Sequence, residues 1–331
     1  MKAWVKQGAT VGLFLTAAVS LARADTAMAR VGALEYIDGA AFVNGRAVSG
    51  AKGQLPILDN GERLSTAQGH AEMLLTPGVF LRLDAQSEVL LENASLTDTR
   101  VRLDSGAAML EVDDIHKDNL IRVDTGPGTV KVLKTGLYRF TAQPADVEVL
   151  KGKVEALEGD QTKKEGKNKE IAFTSGLAVS EFTPQNDDLS RWSRLRSEYE
   201  AEASVGSAQY VYDMGWPWGF SNWFWNPWFD TWAFVPAGGF WLNPYGFGYF
   251  SPFLVYNYFP ARYYGFHRYA FTPRVGASPS GLNLQRGAAI RAARGGFARG
   301  YAGGGFRGGT PMAIGHSMGM GAGFHGGGGR R

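Results

Sequence analysis

The sequence predicts a mainly β fold for its front half, solenoid-like or sandwich-like. One helix follows, then an aromatic-rich region of irregular or short-strand structure, and last a disordered glycine-rich tail. Three observations carry this reading. Short runs with period-2 alternation recur between residues 25 and 184, among them Val79-Phe80-Leu81-Arg82-Leu83, Val101-Arg102-Leu103, Ile121-Arg122-Val123 and Val147-Glu148-Val149, which sets one face in a core and a charged face in water. Turn-forming clusters separate the runs: Asp59-Asn60-Gly61, Thr76-Pro77-Gly78, Asp104-Ser105-Gly106 and Lys151-Gly152-Lys153. No strand–helix–strand alternation appears, which argues against a doubly wound nucleotide-binding fold.

Taken in order, residues 1–24 read as a secretory signal. Lys2 and Lys6 precede the apolar, small-residue stretch Ala9–Ala22, and Ala22-Arg23-Ala24 fits a small-x-small cleavage site before Asp25. The stretch is short for a membrane span, which needs about 20 apolar residues. Residues 25–184 are the β domain. Residues 185–209 are a helix and linker, the helix itself predicted over 186–204. Asp187 or Asp188 caps it, and Leu189, Trp192, Leu195 and Tyr199 form an apolar stripe that docks on the β domain or leads into the next region. Residues 210–271 hold 27 aromatic residues, seven of the nine tryptophans among them, interrupted by Pro, Gly and Asn. Repeated Pro and Gly exclude one long helix there and suggest short hairpins. Residues 272–331 are rich in Gly, Ala and Arg and too poor in large apolar side chains to offset chain entropy, so disorder is predicted.

Charge is polarised. No acidic residue follows Asp230, whereas ten arginines do, and the acidic surplus lies before it. Such asymmetry suggests that the tail touches an anionic surface or the acidic half of its own chain. Cysteine is absent, which excludes a disulfide framework and a thiolate zinc site.

Several segments of the β domain together resemble the FecR family of bacterial periplasmic domains over about residues 31–160. Gly61-Glu62-Arg63-Leu64-Ser65-Thr66 is similar to the family's Gly-x-x-Leu-x-Thr step. Leu74 to Leu83 is similar to its strand, Pro-Gly turn and strand, and Val101 to Ala107 to its Leu-x-x-Gly step. Ile121 to Thr125, Gly136 to Phe140 and Val147 to Val154 continue the series. The resemblance implies a stack of short strands. Best-known members are transmembrane regulators whose cytoplasmic part controls a sigma factor and whose periplasmic part responds to a TonB-dependent receptor. This sequence departs from that plan in showing neither a cytoplasmic domain nor a second span. It is closer to secreted FecR-domain proteins in which a Trp-rich region follows.

Candidate chemistry is sparse. Gly315-His316-Ser317-Met318-Gly319 matches a nucleophile-elbow pattern, but it lies in the glycine-rich tail with no acidic residue after it, so a hydrolase using Ser317 is only a remote alternative. His70, His116, His267, His316 and His325 share no metal-ligand spacing, and His70 and His116 read as surface strand or turn residues. The acidic cluster Glu111, Asp113 and Asp114 reads as a solvated turn, and Lys163–Lys169 as a mobile hairpin loop. No catalytic residue, cofactor or metal is therefore expected. Arg-Gly-Gly elements in the tail resemble those of nucleic-acid binders, but export argues against nucleic acid as a partner.

The expectation is an exported, non-enzymatic, envelope-associated interaction or scaffold protein in the periplasm, at the outer membrane or outside the cell. Candidate partner-binding residues are Trp216, Trp218, Trp223, Trp225, Trp228, Trp232 and Trp241, with Arg294, Arg299 and Arg307. Their partner is an envelope component or protein, an anionic lipid or glycan surface, or a second copy through cation–π contacts. The alternative is a periplasmic sensory module that binds a TonB-dependent receptor or a sigma regulator.

Overall fold

A computed structural model describes residues 29–48, 55–174, 176–215 and 219–259. The predicted signal, the end of the aromatic-rich region beyond Phe259 and the whole predicted disordered tail, with Ser317 and the three candidate arginines, lie outside these residues. Among the described residues fifteen strands form one sheet. In chain order they are β1 (Ala33–Val43), β2 (Arg46–Ala47), β3 (Arg63–Leu74), β4 (Val79–Leu83), β5 (Glu88–Ala94), β6 (Asp98–Ser105), β7 (Ala107–Val112) and β8 (Leu120–Thr125). Then come β9 (Gly128–Val132), β10 (Gly136–Ala142), β11 (Ala145–Lys151), β12 (Lys153–Glu158), β13 (Gln161–Gly166), β14 (Lys169–Phe173) and β15 (Leu177–Glu181).

The sheet has two arms that leave the same strand. The start of β3, Arg63–Ser65, pairs with β5, and its end, Ala71–Leu74, pairs with β4. One arm runs β5-β6-β8-β9-β12-β13 and the other β4-β7-β10-β11-β14-β15. Pairing is antiparallel except between β6 and β8. The inward positions of both arms fill one core. Val89, Leu91, Val101, Leu103, Ile121, Val123 and Val154 come from the first arm, and Leu81, Leu110, Tyr138, Phe140, Val147 and Ile171 from the second. A sheet folded over a shared core is thus the arrangement formed, because antiparallel ladders dominate where a solenoid would stack parallel ones.

The bend that lets β3 serve both arms sits where β1 and β3 cross at Gly39 and Gly69, which are register partners. Both have left-handed φ, 100° and 105°. A Cβ at Gly69 would stand 1.7 Å from the Asp38 carbonyl oxygen, so only glycine fits. The lysine-rich run expected to be a mobile loop is instead largely strand: Gln161–Gly166 pairs with β12 along its whole length. Lysines on such a terminal strand discourage edge-to-edge pairing.

Helix α1 (Asp188–Asp213) follows, capped by Asp187, whose carboxylate accepts the Ser190 N–H at 2.9 Å. It extends nine residues beyond the predicted end. Ser204, Gly206 and Ser207 look like helix breakers, but here they are small residues on a packed face. Ser204 Oγ donates to the Phe234 carbonyl at 2.5 Å, and a Cβ on Gly206 would lie 3.3 Å from Asn226 Nδ2. The aromatic segment then forms two hairpins, β16 (Asn222–Asn226) with β17 (Thr231–Val235) and β18 (Phe240–Leu242) with β19 (Gly248–Phe250), and the short helix α2 (Pro252–Tyr258). Among the described residues no helix is long and apolar enough to cross a membrane.

Candidate functional site

Along β3, β4 and β7 the inward residues Met73, Leu81 and Leu110 join the core, so Glu72, Arg82 and Glu111 point outward. Alternation alone assigns these three to water. In the structure all are fully buried, because α1 and the aromatic hairpins cover this face. The face that α1 turns down is polar and small: Ser193, Arg196, Ser197, Glu200, Ser204 and Ser207 are buried, while Leu195 of the predicted stripe is exposed. Trp192 of that stripe does meet the β domain, stacking on His70 at 4.8 Å. His70 is therefore a packed strand residue rather than a surface one, with Nε2 3.2 Å from Asp84 Oδ1.

The result is an ionic seam. Arg82 bridges Glu72 through Nε (2.5 Å) and Glu111 through Nη1 (2.5 Å). From α1, Arg196 reaches Glu72 Oε1 through Nε (3.0 Å) and Nη2 (2.7 Å), and also pairs with Glu200. Ser197 Oγ donates to Glu111 Oε1 at 2.7 Å, and Asn243 Nδ2 donates to the same oxygen at 2.9 Å. On β1, Glu35 accepts the Trp232 N–H at 2.8 Å and the Thr231 hydroxyl. The sheet, α1 and both hairpins thus converge on one buried network.

Burial and charge set the proton affinities there. Burial would raise Glu72, but Arg196 and Arg82 together hold it below its ordinary range. Glu35 is pushed up to about 7, chiefly by burial, with Thr231 and Arg196 opposing. Burial also drives Glu200 and Asp113 well up, Asp113 with help from the neighbouring Glu111. The expectation of a solvated acidic turn fails for Glu111 and Asp113, which are buried. Asp114 accepts the Ser221 hydroxyl at 2.7 Å. Among the described residues no group of three His, Asp or Glu side chains is placed to hold a metal ion.

The described tryptophans lie in the unit above the seam. Trp223 is 1% exposed and packs edge-on against Phe80 of β4 (5.0 Å) and Phe234 (5.9 Å). Trp225 and Trp232 meet edge to face at 5.6 Å, Trp228 meets Tyr210 and Trp241 meets Phe234, all four being part-exposed. Trp216 and Trp218 lie outside the described residues, as do Arg294, Arg299 and Arg307. On the outside of the unit, Phe240 and Leu242 project together from β18 and are exposed, as are Phe253 and Tyr258 of α2. The Phe240 ring contacts Tyr258 at 5.7 Å.

Residues 62–155 match the family model of the FecR protein. Two crystal structures of a candidate anti-sigma factor from Parabacteroides distasonis are similar to part of the chain. One aligns at 22% identity and a TM-score of 0.33 over 40% of this chain, the other at 19% and 0.33 over 44%. The chain spans 64% of the first and 72% of the second. No curated protein matches it.

Proposed function

We propose that this chain, with its FecR domain over residues 62–155, is an exported, non-enzymatic module that acts in the cell envelope by binding a regulatory or receptor protein. The observation that carries the reading is a rim formed by exposed Phe240 and Leu242 of β18 with Tyr258 of α2 against the Phe240 ring, Phe253 being exposed on the same short helix. Large apolar and aromatic side chains grouped on a surface favour association because burying them releases ordered water, and rings lose little entropy on binding. The seam beneath ties their unit to the FecR domain, so the rim is offered on a stiff base rather than on a loose arm.

The test uses the full chain beside a Phe240→Ser/Leu242→Ser/Phe253→Ser variant, each sedimented with native envelope vesicles. Loss of co-sedimentation in the variant supports the rim. Equal sedimentation of the two chains refutes it. A second reading draws on the ten arginines and missing acids after Asp230, a pattern suited to anionic lipid. Binding to protein-free anionic vesicles that falls with added salt favours that reading.

A further inference from the structure

Among the described residues the seam contains more acid than base. Glu35 on β1, Glu72 on β3, Glu111 on β7, Asp113 just after β7 and Glu200 on α1 are five buried carboxyls, against two buried guanidiniums, Arg82 on β4 and Arg196 on α1. Three negative charges would have no partner if every carboxyl were ionised. Burying unpaired charge costs several kcal/mol per ion, so protons must make up the difference. The geometry shows where they sit. Thr231 Oγ1 lies within hydrogen-bond reach of both Glu35 Oε1 and Glu200 Oε1 but has one proton to give. One of those carboxyls must then supply a proton of its own. Among the described residues Glu200 Oε2 has no donor and is shut off from solvent, and the buried Asp113 carboxyl has the Glu111 carboxyl beside it, with Arg82 and the Tyr249 hydroxyl to offset it.

The surplus lies across a boundary. The sheet contributes Glu35, Glu72, Arg82, Glu111 and Asp113. Helix α1 contributes Arg196 and Glu200. The hairpins contribute Thr231, Asn243 and the hydroxyls of Tyr245 and Tyr249, which face Arg82, Glu111 and Asp113. We propose that the seam is a proton-dependent latch: α1 and the aromatic unit stay seated while the surplus carboxyls hold protons, and they are released as those carboxyls ionise.

The direction follows from linkage. A released Glu35 returns towards its ordinary 4.5, whereas the seated one lies at about 7. The seated state therefore binds more protons, so its advantage is complete below about 4.5 and is lost as pH rises through about 7. Glu200 and Asp113 are raised in the same sense and extend the loss to higher pH. Glu72, held below 4.5 by its arginines, opposes this only in more acid solution.

Hydrogen exchange on the full chain at pH 5 to 9, with each rate divided by its intrinsic rate, tests the latch. Protection of the α1 amides from Arg196 to Val205 is expected to fall by about a hundredfold from Glu35 alone, while amides of β8 and β9 fall far less. In a Glu35→Gln/Glu200→Gln chain, whose amides mimic the protonated acids, the α1 slope flattens. Constant α1 protection across the range overturns the latch. So does a parallel loss in α1 and the core strands, which would be global unfolding, and so does an unchanged slope in the Gln chain. The wild-type comparison decides the matter even if the variant does not fold.

Discussion

Replacing Arg196 by Met isolates what the seam contributes. The methionine keeps most of the stem volume of a side chain that is 7% exposed and removes its guanidinium. That group holds Glu72 through two nitrogens, pairs with Glu200, and lies over the Tyr36 ring at 4.4 Å. After the change Glu72 keeps only Arg82, and Glu200 faces no cation. Removing one partner of a buried pair costs about 3–5 kcal/mol because the other charge stays buried. For a unit of this size each kcal/mol moves Tm by roughly 2–4 °C, so a drop of about 6–20 °C is expected. Thermal unfolding followed by tryptophan fluorescence and by circular dichroism measures the drop, and urea unfolding measures the free energy behind it. Adding Glu72→Gln to Arg196→Met removes one of the two carboxylates that lost the guanidinium and should recover about half of the loss, a coupling that a double-mutant cycle reads directly. An Arg196→Met chain within about 1 kcal/mol of wild type would mean that the seam carries no net stabilisation, and the reasoning from burial would fail.

Two further changes probe the frame around the seam. Gly69→Ala should cost at least ~2 kcal/mol in urea unfolding, since left-handed backbone and a backbone clash coincide there. Gly61→Ala, at φ +85 with nothing within 4 Å of a new Cβ, should cost clearly less, and equal costs would remove the argument from the crossing. Asp187→Ala should cost about 1–2 kcal/mol at pH 7 by loss of the cap. The Asp187 carboxylate also pairs with Arg139 at 2.5 Å. Burial alone would raise it, but Ser190 and Arg139 hold it below its ordinary 3.8. Its contribution is therefore present above that value and is lost as pH falls through the lowered one, so the two chains should converge in acid.

The strands were legible because their inward residues are β-branched or aliphatic at every second position, as in Val101, Leu103, Ile121 and Val123, and because turns such as Thr76-Pro77-Gly78 punctuate them. The seam was not legible, for a physical reason. Glu72, Arg82 and Glu111 occupy the same alternating positions as the solvent-facing Arg102 and Arg122, and alternation reports which face a side chain takes, not what later covers it. Only α1 carried a hint. Its serines and alanines recur on one side, which suits close approach of a neighbour, yet the apolar stripe from Leu189 to Tyr199 is the louder pattern and overlaps that side only in part, with Leu189 buried and Trp192 on His70 but Leu195 exposed. The helix runs past the end the sequence predicts on the same ground, since Ser204, Gly206 and Ser207 break isolated helices but suit a packed one.

The path of the chain between the two arms bears on how the sheet can assemble. From β4 onward the strands go to the second arm, twice to the first, back to the second with β7, to the first with β8 and β9, and then two at a time to β15. Neither arm is a contiguous stretch of sequence. No N-terminal or C-terminal piece of residues 62–181 contains a finished half, so a fragment would leave open ladders in both arms at once. Assembly must wait for partners that are distant along the chain, which predicts slow folding in a single cooperative step. It also makes any truncation inside that span a loss of the whole sheet rather than of one edge.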